Sequence, residues 1–285
     1  MQTYHIHIKG IVQGVGFRPF VYKLAKLMQL NGCVNNTTDG VHIIVSTDEE
    51  TAKTFYNKLI ADAPVNAVIT EHLMQNVPFV FFDDFSIVVS TNEQKPDLLL
   101  TPDIAICAEC LNDIVDEKCK REGYPFTTCL NCGPRYSIVE SLPYDRENTT
   151  MQDLQMCNDC KEEYNNVENR RHYSQTNSCK NCAVKMHLFS NAENEIQLSQ
   201  SEMIDEVISF LQQGKIISVK GIGGYLLLCD ATNENAIATL RERKHRPAKP
   251  FAIMYTNIEM AEQDVEIREI EKRELQSKVA PIVLC

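Results

Sequence analysis

Eight cysteines fall into four Cys-x-x-Cys pairs, Cys107 with Cys110, Cys129 with Cys132, Cys157 with Cys160 and Cys179 with Cys182, separated by eighteen, twenty-four and eighteen residues. A Cys-x-x-Cys turn places two thiolates on one ion, and two such turns complete a tetrahedral structural zinc site with no position open to substrate. Pairing of consecutive turns is the preferred reading, and interleaved pairing of the first and fourth satisfies the same ligand count. Iron–sulfur clusters use the same donors, usually more tightly clustered in sequence. His172 and His187 stand near enough to substitute, but eight cysteines leave no vacancy. Cys33, Cys119, Cys229 and Cys285 remain outside the pattern.

A second constellation is Val12-Gln-Gly-Val-Gly-Phe-Arg18, between an expected strand and an expected helix. Its glycines let backbone N–H groups converge, the helix N-terminus adds partial positive charge, and Arg18 supplies a planar fork for phosphate or carboxylate. Asn36, at the end of Gly32-Cys-Val-Asn-Asn36, is placed to hold a water beside this anion cradle. The third is Lys220-Gly-Ile-Gly-Gly224 followed by Arg241, Arg243, Lys244, Arg246 and Lys249, a local reversal of charge in an acidic chain. Two prolines stiffen this run, and it lacks the Gly-Lys-Ser/Thr of a Walker loop. His5, His7, His42 and His72 read as satisfied or solvated strand residues with no catalytic part.

Positioning these groups requires a particular set of elements. Tyr4 to Ile8 alternates as a strand; Phe20, Val21, Leu24, Leu27 and Met28 recur with helical period behind Pro19; Asp39-Gly40 marks a hairpin. Thr47 to Glu50 reads as a capping box opening a second helix with Ala52, Phe55, Leu59 and Ile60 on its apolar face. Strands are expected at 67–75 and 85–90. From Leu98 to Ala183 periodicity weakens, so metal must replace an apolar core. α/β patterning returns with a capping box at Ser199 to Glu202, a helical face through Leu211, a Gly214 cap, a strand at 216–219, a helix near 234–244, and strands at 251–255 and 281–285.

The 285 residues suffice for about two domains with ordinary cores. A hydrophobic fraction of 44%, mean hydropathy of −0.25 and no apolar run long enough to span place the chain among globular proteins, with no membrane segment expected. Paired thiols suit a reducing compartment, hence the cytoplasm. Net charge of −11 repels nucleic acid outside the local basic run.

Val12 to Arg18 with Gly32-x-Val34-x-Asn36 resembles an acylphosphatase domain. That resemblance implies a ferredoxin-like α+β sandwich over 1–92, Arg18 as phosphate ligand, backbone amides of Gln13, Gly14, Val15, Gly16, Phe17 and Arg18 around the phosphate, and Asn36 positioning the attacking water. Lys-His-Arg-Pro-x-Lys-Pro resembles the nucleotide-binding entry of YrdC-like domains, which implies a nucleotide site at Lys220, Lys244, Arg246 and Lys249 in an incomplete α/β domain over 199–285. With a double zinc-finger module over 98–190, the order resembles the N-terminal part of the HypF family of carbamoyltransferases in nickel–iron hydrogenase maturation. By that resemblance the chain binds two structural zinc ions, the first domain hydrolyses carbamoyl phosphate, the YrdC-like domain forms carbamoyl-adenylate from ATP with magnesium, and the acceptor is the C-terminal cysteine of the partner HypE. Ala183-Val184 stands where the family usually has Gly-Pro, and Leu226 where it commonly has histidine. The rival reading is a zinc-stabilised RNA-binding module without catalysis.

Overall fold

The computed structural model describes residues 1–90, 97–182, 184–191 and 193–285, which divide into two compact units, Met1–Ala183 and Val184–Cys285. Ala183 of the Ala183-Val184 departure lies outside the described residues.

The first unit begins with β1 (Gln2–Ile11), α1 (Phe17–Leu27), β2 (Asn31–Thr37), β3 (Gly40–Thr47), α2 (Glu49–Ala61), β4 (Val68–Val77) and β5 (Phe85–Ile87). The sheet order is β4-β1-β3-β2-β5, antiparallel except for the β2–β5 pair. Alternation sends Ile6, Ile8, Val34, Ile43 and Val45 to one face, where they are fully buried with Phe17, Val21 and Ala25 of α1 and Ala52, Phe55 and Leu59 of α2. Burying each large apolar side chain is worth about 1.5–3 kcal/mol, so this sandwich has its own core. His5, His7 and His42 fall on the opposite face.

The expected capping box at Thr47 is not formed. Thr47 still pairs with Gln2 in the ladder, so the helix starts one residue later, with Asp48 as N-cap accepting from the Thr51 N–H at 3.0 Å.

From 97 to 182 regular structure shrinks to two helices, α3 (Ala108–Val115) and α4 (Asn158–Asn165), and two short 3₁₀ turns at Tyr136–Ile138 and Arg146–Asn148. The cluster of buried apolar residues here consists of Cys110, Cys129 and Cys132, with Cys107 against it, while Arg121, Thr149, Arg171 and Asn177 are buried polar groups. Sulfur and hydrogen bonds occupy the place of an apolar core.

The second unit contains the β6 (Leu188–Phe189) and β7 (Glu195–Ile196) hairpin, α5 (Gln200–Gln212), the β8 (Ile217–Lys220) and β9 (Tyr225–Leu228) hairpin, α6 (Glu234–Arg243), α7 (Ile258–Asp264) and α8 (Glu269–Leu275). The capping box at Ser199 and Glu202 is present, and Gly214 follows the helix at φ 75°. The strands expected at 251–255 and 281–285 are irregular chain: an apolar run becomes a strand only where a neighbour accepts its backbone hydrogen bonds. Tyr225, Leu226 and Leu227 of β9 and Ile204 and Ile208 of α5 are exposed. Among the described residues no helix is long and apolar enough to cross a membrane.

Candidate phosphate site and four-cysteine centres

β1 ends one residue short of the glycine loop, which turns through Gly14 at φ 71° and Gly16 at φ 79°, left-handed conformations that favour glycine. Val12, Val15 and Phe17 anchor the loop in the core. The Gln13 carboxamide donates to the Thr37 and Gly40 carbonyls at 2.7 and 2.9 Å and accepts from the Tyr144 N–H at 2.9 Å. Both the hairpin turn and a distant segment therefore fix the loop.

Arg18 lies in the first turn of α1, its side chain 8% exposed, and Asn36 on β2 is 1% exposed. With its amide oxygen turned towards the guanidinium, Asn36 accepts from Arg18 Nε and Nη2 at 3.1 and 3.2 Å. The structure thus brings together the two residues that the sequence placed at one site.

Sequence reasoning missed the rest of the enclosure. Arg18 Nη2 is paired with Asp145, Nη1 donates to Ser90 Oγ at 3.2 Å, and Ser90 in turn donates to Asp145. The Tyr173 ring lies 5.8 Å from the guanidinium. Arg135 donates to the Gly14 carbonyl and, through Nη2, to the Cys129 and Leu130 carbonyls at 2.9 and 3.1 Å, tying a cysteine turn to the glycine loop. A Cβ on Gly14 would stand 3.0 Å from Arg135 Cδ. The resulting cleft is lined by Gly14, Gly16, Arg18, Asn36, Arg135 and Tyr144 among others. It offers two oriented guanidiniums, Arg18 and Arg135, and fixed dipoles, an arrangement for holding an anion rather than for moving protons.

The cysteines gather as Cys107, Cys110, Cys129 and Cys132, and as Cys157, Cys160, Cys179 and Cys182, the consecutive pairing. Neither group includes His172 or His187. Sulfur–sulfur separations of 3.7 and 3.8 Å in the first and 3.7 and 3.9 Å in the second are far beyond a disulfide bond. Ligands about 2.3 Å from a tetrahedral ion stand about 3.8 Å apart, so the spacing fits a closed four-thiolate centre. Packed this closely, the thiols titrate against one another: contacts with Cys110 and Cys132 pull Cys129 down, and the contact with Cys129 pushes Cys110 up.

The centres repeat in structure and clasp one another. Cys107 and Cys157 each cap a helix, and the turn from Gly123 N–H to the Ile114 carbonyl at 2.8 Å recurs from Tyr173 to Tyr164 at 3.0 Å. Arg121 of the first repeat pairs with Glu163 beside the second centre and reaches Cys160 Sγ at 3.7 Å, while Arg171 of the second pairs with Asp113 beside the first and reaches Cys110 Sγ at 3.9 Å. Each arginine also donates through Nε to a carbonyl of the opposite repeat, Ser178 and Thr128 respectively. Burial opposes the charge on Glu163, but Arg121, with Lys120, outweighs it and holds the carboxyl at about 2. Its share of stability is present above the ordinary value near 4.5 and is lost as pH falls towards 2.

In the second unit, Lys220 closes β8 with its ammonium 5.6 Å from the Tyr225 ring. Arg246 donates to the Lys249 and Pro250 carbonyls at 3.2 and 2.7 Å, and Arg241 also donates to the Lys249 carbonyl. These two guanidiniums shape the loop after α6, while Lys220, Lys244 and Lys249 are exposed.

Known proteins carry the same arrangement. An acylphosphatase profile matches residues 4–87, a HypF finger profile 106–139 and 156–188, and a YrdC-type profile described as telomere recombination 209–285. Carbamoyltransferase HypF of a Synechocystis strain is 40% identical over 284 residues, covering 100% of this chain and 37% of the relative. A full-length HypF solved in a phosphate- and nucleotide-bound form superposes with a TM-score of 0.89 at 37% identity, over 97% of this chain and 36% of its own. HypF of T. kodakarensis gives 0.86 at 40%, over 98% and 35%.

Along its whole length the chain is similar to the N-terminal part of HypF.

It matches the N-terminal part and spans little over a third of these relatives' length. The HypF finger profile covers both cysteine centres, including Arg121 and Arg171. The clasp generates a stability prediction. Arg121→Met leaves Glu163 without its main partner and should lower stability by about 3–5 kcal/mol in denaturant unfolding, whereas Arg243→Met on the exposed end of α6 should stay within about 0.5 kcal/mol. Equal effects would mean that the clasp carries no stability.

Proposed function

We propose that the chain hydrolyses an acyl phosphate, carbamoyl phosphate in the family's reaction, at Arg18 and Asn36. The observation that carries this is the Arg18 guanidinium held against Asn36 beside the glycine turn. The phosphate oxygens are held by Arg18 and by the backbone amides of Gln13 to Arg18. Asn36 orients a water whose oxygen bonds to phosphorus as the bond to the acyl oxygen breaks, leaving phosphate and carbamate. The leaving group is already a stabilised anion, so position and charge suffice and no side-chain acid or base is required. Asp145 competes with the substrate for Arg18, and the arriving dianion displaces it.

We further propose two zinc ions, one in each cysteine group. Four thiolates at tetrahedral spacing suit zinc, which neutralises charge and crosslinks the segment but takes no part in hydrolysis. The reading keeps the division at 1–92, 98–190 and 199–285, with cytoplasmic placement suited to free thiols. In the whole family protein the carbamate would pass to ATP with magnesium at a site including Lys220, Lys244, Arg246 and Lys249, and then to the HypE thiol. The relatives' name as carbamoyltransferases supports this sequence. The RNA-binding alternative is not favoured: the relatives that match the whole chain are named carbamoyltransferases, and a net charge of −11 opposes nucleic acid.

Arg18→Ala should lower kcat/KM for carbamoyl phosphate or benzoyl phosphate by at least about 100-fold with the fold intact, and Asn36→Ala should act mainly on kcat. Asp145→Asn should lower KM severalfold by removing the competing carboxylate. Wild-type hydrolysis at the uncatalysed rate, or full activity in Arg18→Ala, would refute the site.

Metal analysis should return two zinc ions per chain, with Cys→Ser at any of the eight positions removing one and Cys33→Ser or Cys119→Ser removing neither. A stoichiometry of one, or a visible iron–sulfur band after anaerobic purification, would contradict the zinc reading.

A further inference from the structure

The outer face of the sandwich carries a cluster that neither the hydrolysis nor the cysteine centres use. His7 on β1 and His42 on β3 are cross-strand partners, with ring centroids 4.0 Å apart. Both turn Nε2 towards Asp39 in the β2–β3 turn: His42 Nε2 is 3.0 Å from Oδ1, and His7 Nε2 is 3.5 Å from Oδ2. The Asp39 side chain is 8% exposed and the two imidazoles 18% and 17%. The three ligand atoms lie within 4.8 Å of one another.

We propose that His7, Asp39 and His42 form a binding site for a borderline divalent transition-metal ion, of the class of zinc, cobalt or nickel. Two imidazole nitrogens with one carboxylate suit such an ion and disfavour magnesium or calcium, which prefer oxygen. Three protein ligands leave positions for water, in contrast to the closed cysteine centres. Lys9, on the same face, is already paired with Asp97 at 2.8 Å, so its charge does not oppose a dication at the carboxylate.

The surroundings also have the form of an outer ligand shell. His42 Nδ1 lies 2.8 Å from His5 Nε2, and His5 Nδ1 lies 3.3 Å from Gln75 Nε2. Without an ion the chain runs from the Gln75 amide through His5 and His42 to Asp39, each ring donating through Nε2. When His42 gives its Nε2 lone pair to an ion, its proton sits on Nδ1 and is donated to His5 Nε2. His5 then donates through Nδ1 to the Gln75 amide oxygen after the amide rotates. Ligating histidines characteristically have the second nitrogen held in this way. His7 gives up its 3.2 Å contact with the Asp39 carbonyl in exchange for the ion. The site braces the turn whose Thr37 and Gly40 carbonyls hold Gln13 of the phosphate loop.

The test uses the full chain with its cysteine centres saturated with zinc, titrated with cobalt and followed by visible absorption and calorimetry. One cobalt per chain should bind with the weak bands of nitrogen and oxygen ligation. Asp39→Asn and His42→Gln should abolish this binding, and His5→Ala should weaken it about 10- to 100-fold, with zinc content and circular dichroism unchanged. No cobalt bound by the wild type, intense thiolate bands on binding, or wild-type affinity in Asp39→Asn and His42→Gln would overturn the proposal.

Discussion

Four thiolates whose sulfurs lie within 4.8 Å of one another repel unless a cation neutralises them, and the segment from 97 to 182 brings four cysteines that close together twice. It has little apolar core to fall back on: α3 and α4 are two turns each, and beside Tyr124, Ile138, Tyr144 and Met151 the buried groups are mostly cysteine, arginine, serine, asparagine and threonine. The two centres are mutually dependent as well. A buried arginine from each repeat neutralises a carboxylate beside the opposite centre, and its guanidinium lies against a sulfur there, so charge left over from a four-thiolate site is met across the repeat.

This clasped pair reaches the phosphate loop directly. Arg135 ties the Cys129 turn to the Gly14 carbonyl, the Tyr144 amide holds Gln13, and Asp145 occupies Arg18. The sandwich supplies Arg18 and Asn36 from its own helix and strand, while the cysteine-held segment encloses them. Asp145 holds the guanidinium in place, and in the proposed reaction a doubly charged phosphate competes with it for the same fork.

Much of this was legible locally. Period-2 and helical patterns placed β1, α1 and the β2–β3 hairpin, because one face of each is buried against a real core. Ligand counting placed both cysteine centres, because a tetrahedral site admits few spacings. The capping box at Thr47 failed because a tertiary ladder claims that residue first. The strands expected at 251–255 and 281–285 failed because pairing needs a neighbour, which local pattern does not report. Asp145 stands 127 positions from Arg18, a contact that no periodicity encodes. The clasp did leave a signal, since Lys120-Arg121 and Arg170-Arg171 occupy matching places in the two cysteine repeats.

The central claim is that metal, not apolar burial, holds the segment that closes the phosphate site. Hydrogen–deuterium exchange on the zinc-loaded chain before and after chelation tests it most directly. The account predicts that chelation removes protection from 97–182, including Arg135 and Tyr144, and leaves the strands of the sandwich from 1 to 90 protected. Retained protection across 97–182 after complete loss of metal would contradict it.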